Sequence, residues 1–217
     1  MGKMKNIKNP VFALDFEGSR KIGIVEYGVA EIVGGEIAAC STRICSPRAK
    51  ILAADAEFFG ITNEAASGQA PFEADLGLFC DMRRRGVFAS HNAAAEDTML
   101  RGALPLPPAT VSPLTGAECV SWGPYIDTCA LAKKIFRPKS CKLADLIGAF
   151  GAGEELEKLA QKHCPDGRRK WHCALFDAIA CALVLIKICS FDGFEEVSLE
   201  WLLKHSSPLA SAQQRLL

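Results

Sequence analysis

Neither sign of charge prevails in this chain: 25 Lys and Arg stand against 25 Asp and Glu in 217 residues. That balance excludes the protein-wide basic field of a high-affinity architectural nucleic-acid binder. Any affinity for a polyanion must come from a local patch or from bound cations. The opening segment MGKMKNIKNP has charge but no apolar h-region, so it is not a secretory signal, and a cytoplasmic protein is expected. No apolar run has the character of a membrane span. The longest, Cys173 to Cys189, is interrupted by Asp177 and carries Lys187 near its end, which predicts a buried helix and no membrane partner. Internal repeats and low-complexity segments are missing too. Cysteine is not scarce, at ten residues, but zinc spacing is. Cys40 and Cys45 lie close together, and His163-Cys164 and His172-Cys173 recur nine residues apart; neither arrangement matches a CxxC…CxxC or CxxC…HxxxH pattern. Cys129, Cys141, Cys173, Cys181 and Cys189 sit in apolar helix-like runs and read as buried thiols in a reducing compartment.

The chain does have ample apolar material: 49% of residues are hydrophobic, enough for one core. Val11 to Phe16 is a short apolar run ending in acid and predicts a strand. Ile22 to Ile32 alternates and is β-branched, Gly34-Gly35 signals a turn, and Glu36 to Ile44 completes a three-strand meander. Pro71 to Arg85 has near-helical spacing, Val87 to Ser90 is a strand, and Ala93 to Leu104 is helical. Pro105 to Pro124, with five prolines and three glycines counted from Gly102, is an inserted loop. A strand end at Tyr125 to Asp127 follows, then helices at Leu131 to Ile135, Lys142 to Phe150, Glu154 to His163 and Trp171 to Ile188. The expected class is α/β, a mixed sheet flanked by helices. Residues 1–190 form the domain with segment 102–124 inserted, and residues 191–217 form a tail, with Leu199 to Leu203 amphipathic, that packs on it. The stretch Trp201 to Leu217 could instead meet a second copy of the chain.

Three acidic clusters carry the chemistry. Asp15 and Glu17 lie two apart on the most apolar strand, so both point to one face. Two carboxylates on one face repel unless a cation lies between them; the alternative is a solvated pair at a strand end. His91-Asn92 ends the fourth strand, and Glu96-Asp97 follow on the first turns of a helix, where acids are also favoured simply by the helix N-terminus. Asp177 is a lone acid in an apolar helix, five residues after His172. A buried carboxylate requires a partner, either a metal ion or a basic residue such as Arg168, Arg169 or Lys170.

Taken together, these segments resemble the DEDDh group of 3′–5′ exonucleases, the DnaQ-like proofreading-exonuclease family with a ribonuclease H-like fold, over about residues 11–189. FALDFEGS carries the first motif on Asp15 and Glu17. Phe59-Gly60-Ile61-Thr62-Asn63-Glu64 is similar to the family's GIT turn, SHNAAAEDTML to the second motif, and HCALFD to the third, HxxxxD. Tyr125-Ile126-Asp127-Thr128, followed by Lys142-Leu143-Ala144-Asp145-Leu146, is similar to its IDT…LxxL segment. The family's second motif usually has aspartate five residues after histidine, where this chain has Glu96. An ungapped match selects Glu96; Asp97 could serve only if the helix start shifts.

The resemblance implies a five-stranded sheet in which an antiparallel meander joins parallel strands. It also implies two Mg²⁺ or Mn²⁺ ions on Asp15, Glu17, Glu96 and Asp177, and release of nucleoside 5′-monophosphates from a single-stranded or frayed 3′ end of DNA or RNA. Histidine titrates near neutral pH, so His172 suits a general base. Gly18, Ser19, Phe59, His91 and Asn92 are candidates for contact with the terminal nucleotide, with Phe16 or Phe59 stacking on a base and Arg168 and Arg169 neutralising phosphates. A polymerase-type partner is one implied context. The glutamate in the second motif and the Pro-rich insertion leave a second expectation, a non-catalytic or weakly active interaction module on the same fold.

Overall fold

The computed structural model describes residues 4, 6–194 and 196–206. Five strands form the main sheet: β1 (Val11–Ser19), β2 (Gly23–Val33), β3 (Glu36–Ile44), β4 (Val87–Ser90) and β7 (Tyr125–Asp127), in the order β3-β2-β1-β4-β7. β1 pairs antiparallel with β2, which pairs antiparallel with β3, while β1–β4 and β4–β7 are parallel. This is the mixed α/β sheet of the ribonuclease H-like class, and it puts β1 at the centre.

The alternation along β1 divides the molecule into two layers. Val11 and Ala13 join Ala30, Ile32 and Ala89 beneath α8 (Ala174–Ile188). Phe12, Leu14 and Phe16 join Tyr27, Val29 and Phe88 on the opposite face, under α3 (Leu76–Arg85) and α4 (Ala93–Ala103). Asp15 and Glu17 continue the Val11–Ala13 series, so they leave the sheet on the α8 side at the carboxyl end of the central strand. α8 is buried along nearly its whole length because apolar residues surround every side of it. It is a core helix, and no helix among the described residues is long and apolar enough to cross a membrane.

α8 begins at Ala174, three residues later than the sequence pattern predicts; Trp171 and His172 stand outside it and Cys173 occupies the N-cap. Its start crosses β2 closely. A methyl group on Gly28 would lie 2.2 Å from the Ala174 carbonyl, so only glycine permits this approach. Gly28→Ala is expected to cost at least the 1–3 kcal/mol typical of overpacking and to lower the melting temperature by several degrees, measured by thermal unfolding.

The sequence pattern missed two short helices, α1 (Ala53–Phe59) and α2 (Asn63–Ala66), which precede the 3-10 turn Phe72–Asp75. Each is too short for periodicity to register. The Pro-rich segment 102–124, whose first residues belong to the end of α4, holds a small hairpin of β5 (Thr110–Val111) and β6 (Glu118–Cys119). Helices α5 (Thr128–Ile135), α6 (Leu143–Ala149) and α7 (Gly153–His163) follow β7. In the tail, α9 (Leu199–Ser206) buries Leu199, Leu202 and Leu203 in the same core cluster as Leu131 and Ile126; residues 207–217 lie outside the described residues. All ten cysteines are free thiols.

Candidate active site

Four carboxylates converge where the parallel strands end, the usual ligand position in an open α/β sheet. Asp15 and Glu17 arrive from β1, whose register shifts between Glu17 and Gly18, ending regular pairing just past the second acid. Asp177 comes from the first turn of α8 and Glu96 from the first turn of α4. One potential ligand atom each from Glu17, His172 and Asp177 lies within 4.8 Å of the others. Asp15 lies in the same field: its carboxyl is held well above the ordinary range by burial, then by the charges of Glu96, Asp177, Glu17 and Glu26. Burial raises Glu17 to about 8, with Asp177 and Glu26 pushing further up and Arg168 opposing. Glu96 also rises to about 8, from burial and then from Glu17, against a hydrogen bond from the Phe16 backbone. Asp177 rises to about 7 from burial, opposed by the His172 backbone N–H, which donates to its Oδ2 at 3.0 Å.

Asp15, Glu17, Glu96 and Asp177 form no ion pair among the described residues, and Arg168, which acts on Glu17 through its charge, is paired with Glu26. Among the described residues, Glu96 Oε2 and Asp177 Oδ1 are buried with no hydrogen-bond partner. Buried carboxylate oxygens left unpaired beside other carboxylates suit hard divalent cations, which prefer such oxygen ligands. The donor set therefore fits a hard divalent cation.

The two acids of the second segment point in different directions. Glu96 faces Asp15, Glu17 and Asp177. Asp97 turns away, binding Arg101 at 2.6 Å and adjoining the Tyr125 phenol. The extra methylene of glutamate carries the carboxylate into the cluster from the start of α4.

Several other candidates are placed differently from expectation. The Phe59 side chain is 3% exposed and packs with Ile22, Val25, Ile51 and Ile61, so it cannot stack on a nucleotide. Its neighbour Phe58, which sequence reasoning missed, is 61% exposed, and its ring centroid lies 4.1 Å from that of His172. Phe16 is also core, packed edge-on against Phe72. Arg168 is not a free phosphate contact: it forms an ion pair with Glu26 and donates to the Phe59 carbonyl at 2.8 Å. Arg169 pairs with Asp166 at 2.7 Å on the surface. Both ring nitrogens of His91 are engaged, Nδ1 with Thr128 Oγ1 at 2.8 Å and Nε2 with the Cys141 carbonyl at 2.7 Å. Asn92 has a left-handed backbone (φ 72°) and donates its N–H to Asp127, whose carboxylate also accepts from Ala93 and Ala130. His91, Asn92 and Asp127 thus brace the start of α4. Gly18 (φ 143°) and Ser19 end β1 beside the acids, and Ser19 Oγ accepts the Ile22 N–H at 3.3 Å.

The other residue missed is Glu26, 2% exposed on β2. The available signal was an acid in the middle of the alternating apolar run IGIVEYGVAEI, whose other acid, Glu31, pairs with Arg85. In register it lies directly opposite Glu17.

Known proteins place this arrangement. Exonuclease X, solved with 5′-overhanging duplex DNA, superposes with a TM-score of 0.66 over 91% of this chain and 99% of its own, at 18% identity. The nuclease domain of 3′hExo, a DEDDh family member bound to rAMP, gives 0.60 over 86% and 94%, at 16% identity. The fold is that of the DEDDh 3′-exonucleases. A 3′-exonuclease recognising the histone mRNA stem-loop superposes with a TM-score of 0.63 at 15% identity, over 86% of this chain and 65% of its own. In sequence, 131 residues, 60% of this chain, are 28% identical to the PolC-type DNA polymerase III of Thermotoga maritima; the match spans 9% of that polymerase. A second PolC-type polymerase, from Thermotoga petrophila, matches to the same extent. No family model matches the sequence.

Proposed function

We propose that this chain is a 3′–5′ exonuclease that hydrolyses the terminal phosphodiester of a single-stranded or frayed 3′ end and releases nucleoside 5′-monophosphates. The convergence of Asp15, Glu17, Glu96 and Asp177 beside His172 carries the reading. Asp15, Glu17, Glu96 and Asp177 would hold two divalent ions, which supply charge neutralisation at the phosphate and a more acidic attacking water. His172 is exposed beside Glu17 and Asp177, so its imidazole is placed to take the proton of that water. Its left-handed backbone (φ 62°) turns the residue out of line with α8. Asp177 holds that backbone by accepting the His172 N–H. The exposed Phe58 ring beside the imidazole offers a face on which a terminal base can stack. The second expectation, an inactive interaction module, has less support, because Glu96 reaches the cluster despite replacing the usual aspartate.

The test is degradation of labelled DNA and RNA oligonucleotides with Mg²⁺ or Mn²⁺. Stepwise loss from the 3′ end, abolished by chelation, is expected on single strands. No turnover of either polymer under both metals would overturn the proposal. His172→Asn is expected to slow release by about 10²–10⁴-fold, the range for removing a general acid or base, with strand binding retained in a filter assay. The PolC-type match gives a polymerase subunit as the partner to test by co-purification.

A further inference from the structure

The buried pair Glu26–Arg168 lies outside the four acids, yet it touches every element around His172. Arg168 Nε donates to Glu26 Oε1 at 3.0 Å and Nη2 to Oε2, while Nη1 donates to the carbonyl of Phe59 at 2.8 Å and to that of Gly60 at 3.3 Å. Glu26 Oε2 also accepts the Ala174 N–H at 2.9 Å, at the first residue of α8. The fork therefore ties together three pieces of chain: β2, the end of α1 that carries Phe58, and the Arg168–Ala174 segment that carries His172 and leads into Asp177. Gly28, one pleat along the same face of β2, lets this segment lie flat against the sheet.

We propose that Glu26 and Arg168 are positioning residues that set His172, Asp177 and Phe58 against Glu17. The inference rests on the exonuclease reading. Glu26 opposes Glu17 in the β1–β2 register, and like charges directly opposite are unfavourable. Arg168 neutralises Glu26 through a two-pronged ion pair. A guanidinium is required because three sets of acceptors are reached by one planar fork; an ammonium of the same charge cannot satisfy them together. Outer groups that orient ligands in this way typically change metal affinity or activity by about 10–100-fold when replaced.

Three variants test the assignment. Arg168→Lys keeps the charge and removes the fork. Glu26→Gln keeps an acceptor for the Ala174 N–H. The double variant Glu26→Gln/Arg168→Met removes both charges, so it leaves no uncompensated buried ion if either single change prevents folding. Mn²⁺ affinity is read by electron paramagnetic resonance, and turnover on the minimal ester p-nitrophenyl thymidine 5′-monophosphate, with melting temperature alongside. Arg168→Lys and the double variant are expected to weaken Mn²⁺ binding and lower kcat by about 10–100-fold, with KM for the small ester nearly unchanged. Glu26→Gln should fall between them and wild type, a partial rescue from its retained acceptor. If folded variants lose melting temperature but bind Mn²⁺ and turn over like wild type, the pair is structural only and the assignment is wrong. If wild type itself neither binds Mn²⁺ nor degrades an oligonucleotide, the exonuclease reading fails instead.

Discussion

Asp177→Asn is expected to abolish nucleotide release and, at the same time, to raise the melting temperature of the metal-free protein at pH 8. The two effects have one cause. Asp177 and Glu17 offer oxygens within 4.8 Å of each other, and Asp177 is among the charges that push Asp15, Glu17 and Glu96 upward. At pH 8 its own carboxyl, raised only to about 7, is ionised, so the folded metal-free chain holds mutually repelling buried charge. Asparagine keeps the oxygen that accepts the His172 N–H and removes that charge. Loss of one metal ligand should remove about 4 kcal/mol of transition-state stabilisation, roughly a 10³-fold loss of rate. Relief of about 1 kcal/mol of repulsion should raise the melting temperature by about 2–4 °C at this size. A functional centre built at the expense of stability predicts these opposite signs. Release above a tenth of wild type, or a lowered melting temperature in EDTA, would count against a metal centre at these residues.

The sequence made the frame of the molecule legible because its strongest periodic segments are also its structural ones. β1, the meander, β4 and the long helix α8 are places where apolar pattern, turn residues and tertiary burial agree, and the acids at their ends stood out against apolar neighbours. The misreadings share a different origin. Phe58 and Phe59 are adjacent and chemically identical; which one faces solvent depends on the phase of a seven-residue helix that periodicity cannot detect. Arg168 looked like a free cation because its partner, Glu26, lies 142 residues away on a strand whose pairing with β1 had to be known first. The same holds for Glu26 itself: a buried acid in a mostly apolar strand signals a partner without naming it. His91 looked available for substrate from its motif, whereas its two ring nitrogens are engaged by Thr128 at the start of α5 and by the Cys141 carbonyl in the α5–α6 connection. Local chemistry thus revealed the acidic centre, while the pairings that hold it depend on long-range contacts that a local pattern does not encode.

The metal-free protein is expected to lose stability steadily as pH rises from about 6.5 to about 7.5, and saturating Mg²⁺ or Mn²⁺ should remove that slope. Glu17 and Glu96 rise to about 8 and Asp177 to about 7 in the folded chain, and Asp15 moves the same way. In the unfolded chain these groups titrate near their ordinary values, about 4. Between the two ranges the folded state binds more protons than the unfolded one, so unfolding releases protons and stability must fall as pH increases. The fall begins above the unfolded values and levels off once pH passes the folded ones. His91 and His163, lowered from the ordinary 6.5 by burial, act in the opposite sense below that value, while buried thiols such as Cys40, Cys164 and Cys173, raised to about 11 or 12, add a separate fall as pH nears the unfolded thiol value of about 8.5; the carboxylates therefore dominate between about 6.5 and 7.5. A divalent ion must displace the protons that Glu17 and Glu96 hold at pH 7, so binding should release protons into a weakly buffered solution and tighten as pH rises toward 8. Melting temperatures in EDTA and in excess Mg²⁺ at quarter-unit steps from pH 6.5 to 7.5, below the range in which unfolded thiols titrate, give both curves. A flat EDTA curve, or a metal-bound curve that falls in parallel with it, would mean that these carboxylates do not share the buried charge that the structure gives them.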